Sequence, residues 1–190
     1  MRLFRKARGS VPLRPRLQDR LSRPWDLPVT EFPGIVPINT LQFGRSEQAA
    51  AALTGIWAYT SGFEFFVTRL IRPSVPGFDA EVPDDRGAMR RARESFQISL
   101  QLSDGSKVVS DAPHGDSEPT GPILVRRGGG GTSHYQHSRW WVWPLPPSGP
   151  LEFICQWPTL GTGEPRVGLD AQLILDAARR SVRPWPADEA

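Results

Sequence analysis

A single cysteine, Cys155, in 190 residues excludes an intramolecular disulfide. The fold must be held by its own core. Cys155 sits on an apolar face with no electropositive neighbour in sequence, the setting of a buried thiol rather than a nucleophile. Lysine is almost absent: Lys6 and Lys107 are the only two among 23 basic residues. With abundant Ala, Gly and Pro, this reads as coding bias from a GC-rich bacterial genome. It weakens the arginine excess as evidence for phosphate recognition. No apolar run approaches the ~18–20 residues of a membrane span. The Arg-rich N-terminus lacks the apolar h-region of a signal peptide, so the expected compartment is the cytoplasm.

Catalytic signatures are equally scarce. There is no G-x-S-x-G elbow. The run Gly128 to Gly131 lacks the spacing and lysine of a phosphate loop and reads as a flexible connector between strands. No cofactor motif is present. Three histidines, His114, His134 and His137, are the weak candidates for a metal or catalytic site. His134 and His137 are three apart, which on a strand sends them to opposite faces. They converge only in a turn, and a metal then needs His114 or a distant carboxylate.

What is present is β-pattern. Arg139 to Pro158, RWWVWPLPPSGPLEFICQWP, holds four of the seven tryptophans. Leu151, Phe153, Cys155 and Trp157 alternate with Glu152, Ile154 and Gln156, the period of a strand with one buried face. Trp141 and Trp143 point one way, Trp140 and Val142 the other, so that strand is expected to be covered on both sides. The prolines from Pro144 to Pro150 join the two strands as a stiff corner. Phe63 to Ile71 places Phe63, Phe65, Val67 and Ile71 on one face, with Arg69 as the exception. Thr60-Ser61-Gly62 turns it back onto Gln48 to Tyr59, with Gly62 free to take positive φ. Ala50 and Ala52 face one side of that strand, Leu53 the other. Further strands are expected at Thr40 to Phe43, Phe96 to Leu102, Lys107 to Ser110 and Ile123 to Arg127. Thr132 to Arg139 is a lead-in, and Thr159 to Gly168 a loop.

A helix over about 169–182 follows. Asp170 is its cap, Leu169 and Ile174 its staple. Leu173, Ile174, Ala177, Ala178 and Ser181 form its inner face. Seven or eight short strands then predict a mostly β protein. The expected architecture is an antiparallel β-sandwich or partly open barrel with one C-terminal α-helix packed on it. Trp25, Phe32 and Trp185 are expected to pack back on this body. Trp57, Trp141, Trp143 and Trp157 read as core; Trp140 is the tryptophan expected at the surface.

Charge divides the chain. Residues 1–23 carry eight basic side chains against one acid, 8 − 1 = +7, while the whole chain is +3. The expected organisation is a basic, disordered arm over 1–23 and a single β-rich domain over 24–190. Arg2, Arg5, Lys6, Arg8, Arg14 and Arg16 are its binding candidates, with Trp140 on the body. A basic arm on a mildly acidic body points to an acidic protein, an anionic surface or nucleic acid.

The segments PWDLP, PGIVP, WVWPLPPSGPLEF, WPTLG and RPWP together resemble an uncharacterised family of actinobacterial hypothetical proteins, from Trp25 to Trp185. The resemblance implies taxonomy and no activity, cofactor or site residue. The preferred reading is a non-catalytic protein-interaction module. The alternatives are an enzyme or metal-binding protein built on the histidine loops, and nucleic-acid binding through the arm.

Overall fold

A computed structural model describes residues 23–73, 96–110, 118–161 and 163–185. Ten strands and one α-helix run through them. β1 is Gly34–Ile35, β2 Leu41–Arg45, β3 Ala49–Ala58, β4 Phe63–Ile71 and β5 Gln97–Gln101. β6 is Lys107–Val109, β7 Ile123–Gly131, β8 Tyr135–Trp143, β9 Pro150–Gln156 and β10 Arg166–Asp170. The helix α1 is Gln172–Ala178. All strand pairs within the two sheets are antiparallel.

Six strands form the large sheet in the order β1-β3-β4-β8-β7, with β2 also on β3. Four form the small sheet, β10-β9-β5-β6. A parallel bridge from Ser110 to Leu124 links the sheets along one side. The result is a sandwich rather than a closed barrel. Its layers meet where β4 and β9 each present a phenylalanine: the Phe65 and Phe153 rings lie edge to face at 5.0 Å. Leu53, Phe63, Leu100 and Leu151 complete this centre, all fully buried. Among the described residues, no helix is long and apolar enough to cross a membrane.

The alternating stretches fold as their periods dictate. β4 spans Phe63–Ile71 as expected, with Phe63, Phe65, Val67 and Ile71 buried. β3 overrides the helical preference of its alanines because Ala49, Ala51 and Leu53 alternate inward. A bulge between Leu53 and Gly55 then resets the phase, and Ile56 and Ala58 continue the buried face. Gly62 is needed for closeness rather than for positive φ, which it does not adopt. A Cβ there would lie 2.3 Å from the Val142 carbonyl oxygen.

Several expectations are corrected. Gly128 to Gly131 belongs to β7 and pairs with Gln136 to Arg139 of β8; the partner strand supplies the order that glycine lacks. β8 accordingly starts at Tyr135, inside the expected lead-in. The segment Thr159 to Gly168 takes in the last two residues of a 3-10 turn, Pro158–Leu160, and most of β10, the unforeseen edge of the small sheet. Leu169 and Asp170 close β10, so the helix begins only at Gln172. Asp170 still accepts the Gln172 N–H at 2.9 Å. Ile174, Ala177 and Ala178 are the helix's buried residues. Phe32 and Trp185 do not pack back: they are 63% and 56% exposed.

The two ends of the described body are nonetheless tied. Phe32 and Val182 form an antiparallel bridge. Beside it, the buried Glu31 carboxylate accepts hydrogen bonds from the Thr60 N–H at 3.0 Å and Arg183 Nε at 2.7 Å. Burial opposes ionisation of Glu31, but Thr60 and Arg183 outweigh it and hold its carboxyl below the usual range.

Candidate functional site

The outer face of the large sheet, turned away from the small one, is where unusual side chains gather. Its residues follow from register. One row runs Ile35 (β1), Trp57 (β3), Glu64 (β4), Trp141 (β8), Val125 (β7). The next is Gly55, Phe66, Arg139, Gly128. Then come Gln42, Ala52, Thr68, His137, Gly130, and last Arg45, Ala50, Leu70, Tyr135. Large side chains thus line the two central strands. The flanking strands carry mostly glycine and alanine beside them. Phe66 settles over Gly55 and His137 over Gly130, each within 3.5 Å of where a Cβ would stand.

Half of the first row is covered. Trp25 packs edge to face on Trp143 at 6.4 Å, and its carbonyl accepts the Trp141 indole N–H at 2.8 Å. With Leu27, Trp25 closes a small second core around Tyr59, Ile123 and Trp141. The rest of the face is open: Leu70 is 50% exposed, Tyr135 47%, and Trp57 and Arg45 are also exposed.

Under this face lies Glu64, 1% exposed. Arg139 Nε stands 3.3 Å from one carboxylate oxygen, and the Tyr59 hydroxyl donates to the other at 3.4 Å. Burial pushes the Glu64 carboxyl up, against the pull of Arg139, Arg127 and Tyr59. Burial and the neighbouring Glu64 push the Tyr59 phenol up to about 12. A raised carboxyl pKa favours the protonated form in the fold. Its contribution to stability is full below the ordinary carboxylate value and is lost as pH rises through the raised value. Glu64→Gln is therefore expected to be more stable than wild type at pH 7–8, the gap closing near pH 4. Urea unfolding of both proteins across that range reads the difference. A Gln variant less stable at pH 8 than at pH 4, relative to wild type, would refute it.

Of the residues singled out from sequence, Trp140, His134 and His137 fall within the described segments. Arg2, Arg5, Lys6, Arg8, Arg14, Arg16 and His114 lie outside the described residues. Trp140 is corrected: it is 4% exposed. It stacks with Phe65 between the sheets, and its indole donates to Ser138 Oγ at 3.0 Å. Alternation identified its face but not that the small sheet covers that face. His137 is exposed on the outer face. His134 precedes β8, and its carbonyl accepts the Ile71 N–H at 2.9 Å. Among the described residues no group of three or more His, Cys, Asp or Glu is placed to hold a metal. Cys155 is buried, and burial pushes its thiol up to about 12 against the pull of Arg69. It is inert at neutral pH.

Sequence reasoning passed over Glu64, Arg139 and Tyr135, whose signal is available only after pairing. It flagged Arg69 as the odd residue of its face. That guanidinium is buried over the Phe96 and Trp157 rings at 4.4 and 5.4 Å. An apolar recess of about 330 Å³ opens at the proline corner, lined by Leu102, Val142, Leu145 and Pro146 among others. Its carboxylate, Asp104, is already engaged by the Ser106 N–H and hydroxyl at 2.9 and 2.6 Å.

No family model, curated protein or solved structure matches the chain.

Proposed function

We propose that the chain is a non-catalytic interaction module that receives an anionic partner on the outer face of its large sheet. The observation that carries this reading is the charge of that face. Arg45 and Arg139 project from it, and Arg127, the extra residue of the β7 bulge, is close enough for its charge to act on Glu64. Among the described strand residues of this face the only carboxylate is Glu64, which is 1% exposed. An uncovered face of one sign, with exposed apolar side chains, is a docking surface for the opposite sign. The +7 segment over residues 1–23 adds a second positive contact. We place the module in the cytoplasm of an actinobacterium, a reading supported by its arginine usage and lone thiol.

Heparin, a polyanion, tests the electrostatic part. The full chain is expected to be retained, and the variant carrying Arg45→Glu and Arg127→Gln to elute at clearly lower salt. Suppose elution ignores this pair but shifts when Arg2, Arg5, Lys6 and Arg8 become serine. Binding then belongs to the N-terminal segment alone, and the sheet-face reading fails.

A further inference from the structure

We infer that the anionic partner is single-stranded nucleic acid, whose bases stack on Trp57 and Tyr135 while its phosphates meet Arg45, Arg127 and Arg139. This rests on the binding-face reading above and narrows it.

The face carries aromatic rings as well as charge, and the rings come in two pairs. Trp57 meets Phe66 edge to face at 4.5 Å. Tyr135 lies 6.0 Å from the His137 ring. The pairs sit at opposite ends of the open face, in its first two rows and its last two. From Glu64 to Leu70, the strand carrying those rows rises about 20 Å at ~3.4 Å per residue. That length suits a run of a few nucleotides, and sites on other small β domains begin at about four. Beside Phe66 in the second row stands Arg139, 44% exposed in its side chain and held from below by the Glu64 carboxylate at 3.3 Å. A guanidinium anchored at its base is a fixed cation for a phosphate.

The same features argue against other occupants. An acidic peptide would use the guanidiniums and leave the rings of Trp57 and Tyr135, 37% and 47% exposed, without purpose. Duplex bases are already stacked and offer no face to a ring. The chain's own N-terminal stretch carries +7 and is repelled by a basic face. It joins the body beside Trp25, which lies on this face.

The test is fluorescence anisotropy of a labelled mixed-sequence 20-mer, single-stranded and as duplex, with the full chain at low salt. The expected result is preference for the single strand. Trp57→Ala and Tyr135→Ala should each weaken binding roughly 5- to 150-fold, while Trp57→Phe and Tyr135→Phe retain it. Tyr135 is nearly half exposed, so its alanine variant should fold, which circular dichroism checks. Equal or tighter duplex binding, untouched by both alanine variants, would overturn the inference in favour of charge alone. Failure to bind the oligonucleotide, with heparin retention still sensitive to Arg45 and Arg127, would also overturn it but leave the anionic-partner reading standing. Loss of both would remove that reading too.

Discussion

Phe153→Ala is expected to destabilise the protein by about 3–5 kcal/mol, the range for removing a buried aromatic ring. Phe153 is fully buried. It sits on β9, flanked in the small sheet by β10 and β5, and its ring is the one that reaches Phe65 across the layers. Its register partners Val167 and Leu100 are fixed by the ladders on either side. They have little freedom to collapse into the space, which puts the loss at the cavity-forming end of the range. For a chain of this size that corresponds to a fall in Tm of roughly 6–20 °C. Urea unfolding should show the midpoint falling with little change in slope. Phe32→Ala, on a residue 63% exposed, should lie within about 0.5 kcal/mol of wild type. Similar values for the two would mean that the sheets do not pack as described.

Gly34→Ala is expected to be nearly as damaging, about 3 kcal/mol or more, although it adds one methyl group. A Cβ at Gly34 would stand 1.8 Å from the Ala177 carbonyl oxygen and 2.6 Å from its carbon. Those are backbone atoms of α1, and no rotamer change relieves the overlap. The helix has to retreat. Ile174, Ala177 and Ala178 would leave the core, and Arg180 would lose its 3.2 Å hydrogen bond to the Ile35 carbonyl. Gly163→Ala is the contrast: nothing lies within 4 Å of its Cβ position, so reduced chain entropy should leave it neutral or slightly stabilised. Calorimetry of both variants decides. Equal Tm values would mean that α1 is not seated on β1.

The fold was largely legible because its signals are local. Alternation in β4 and β9 and the proline corner each act within a few residues. The misses arise where a partner strand overrides local preference. Gly128 to Gly131 has no strand propensity of its own, yet β8 pairs with all four. β10 lies among glycines and a proline, and its order comes from β9. The binding face was barely legible for a related reason. Glu64, Arg139, His137 and Tyr135 look like scattered polar interruptions until register sets them in rows. Trp140 and Trp141 alternate identically in sequence, and only the placement of the second sheet tells which cover each receives.

The knot of Glu31, Thr60 and Arg183 has a consequence for how the chain is made. Glu31 leaves the ribosome 152 residues ahead of Arg183. At ~5–20 residues per second of synthesis, that interval is roughly 8–30 s. Throughout it, Gly34 and the neighbouring end of β3 wait for a helix that has not yet been translated. The large sheet can zip from its local hairpins during this time, but its open end is sealed only once Arg183 has emerged. For a nascent chain of this protein, that end is the place where a chaperone would find something to hold.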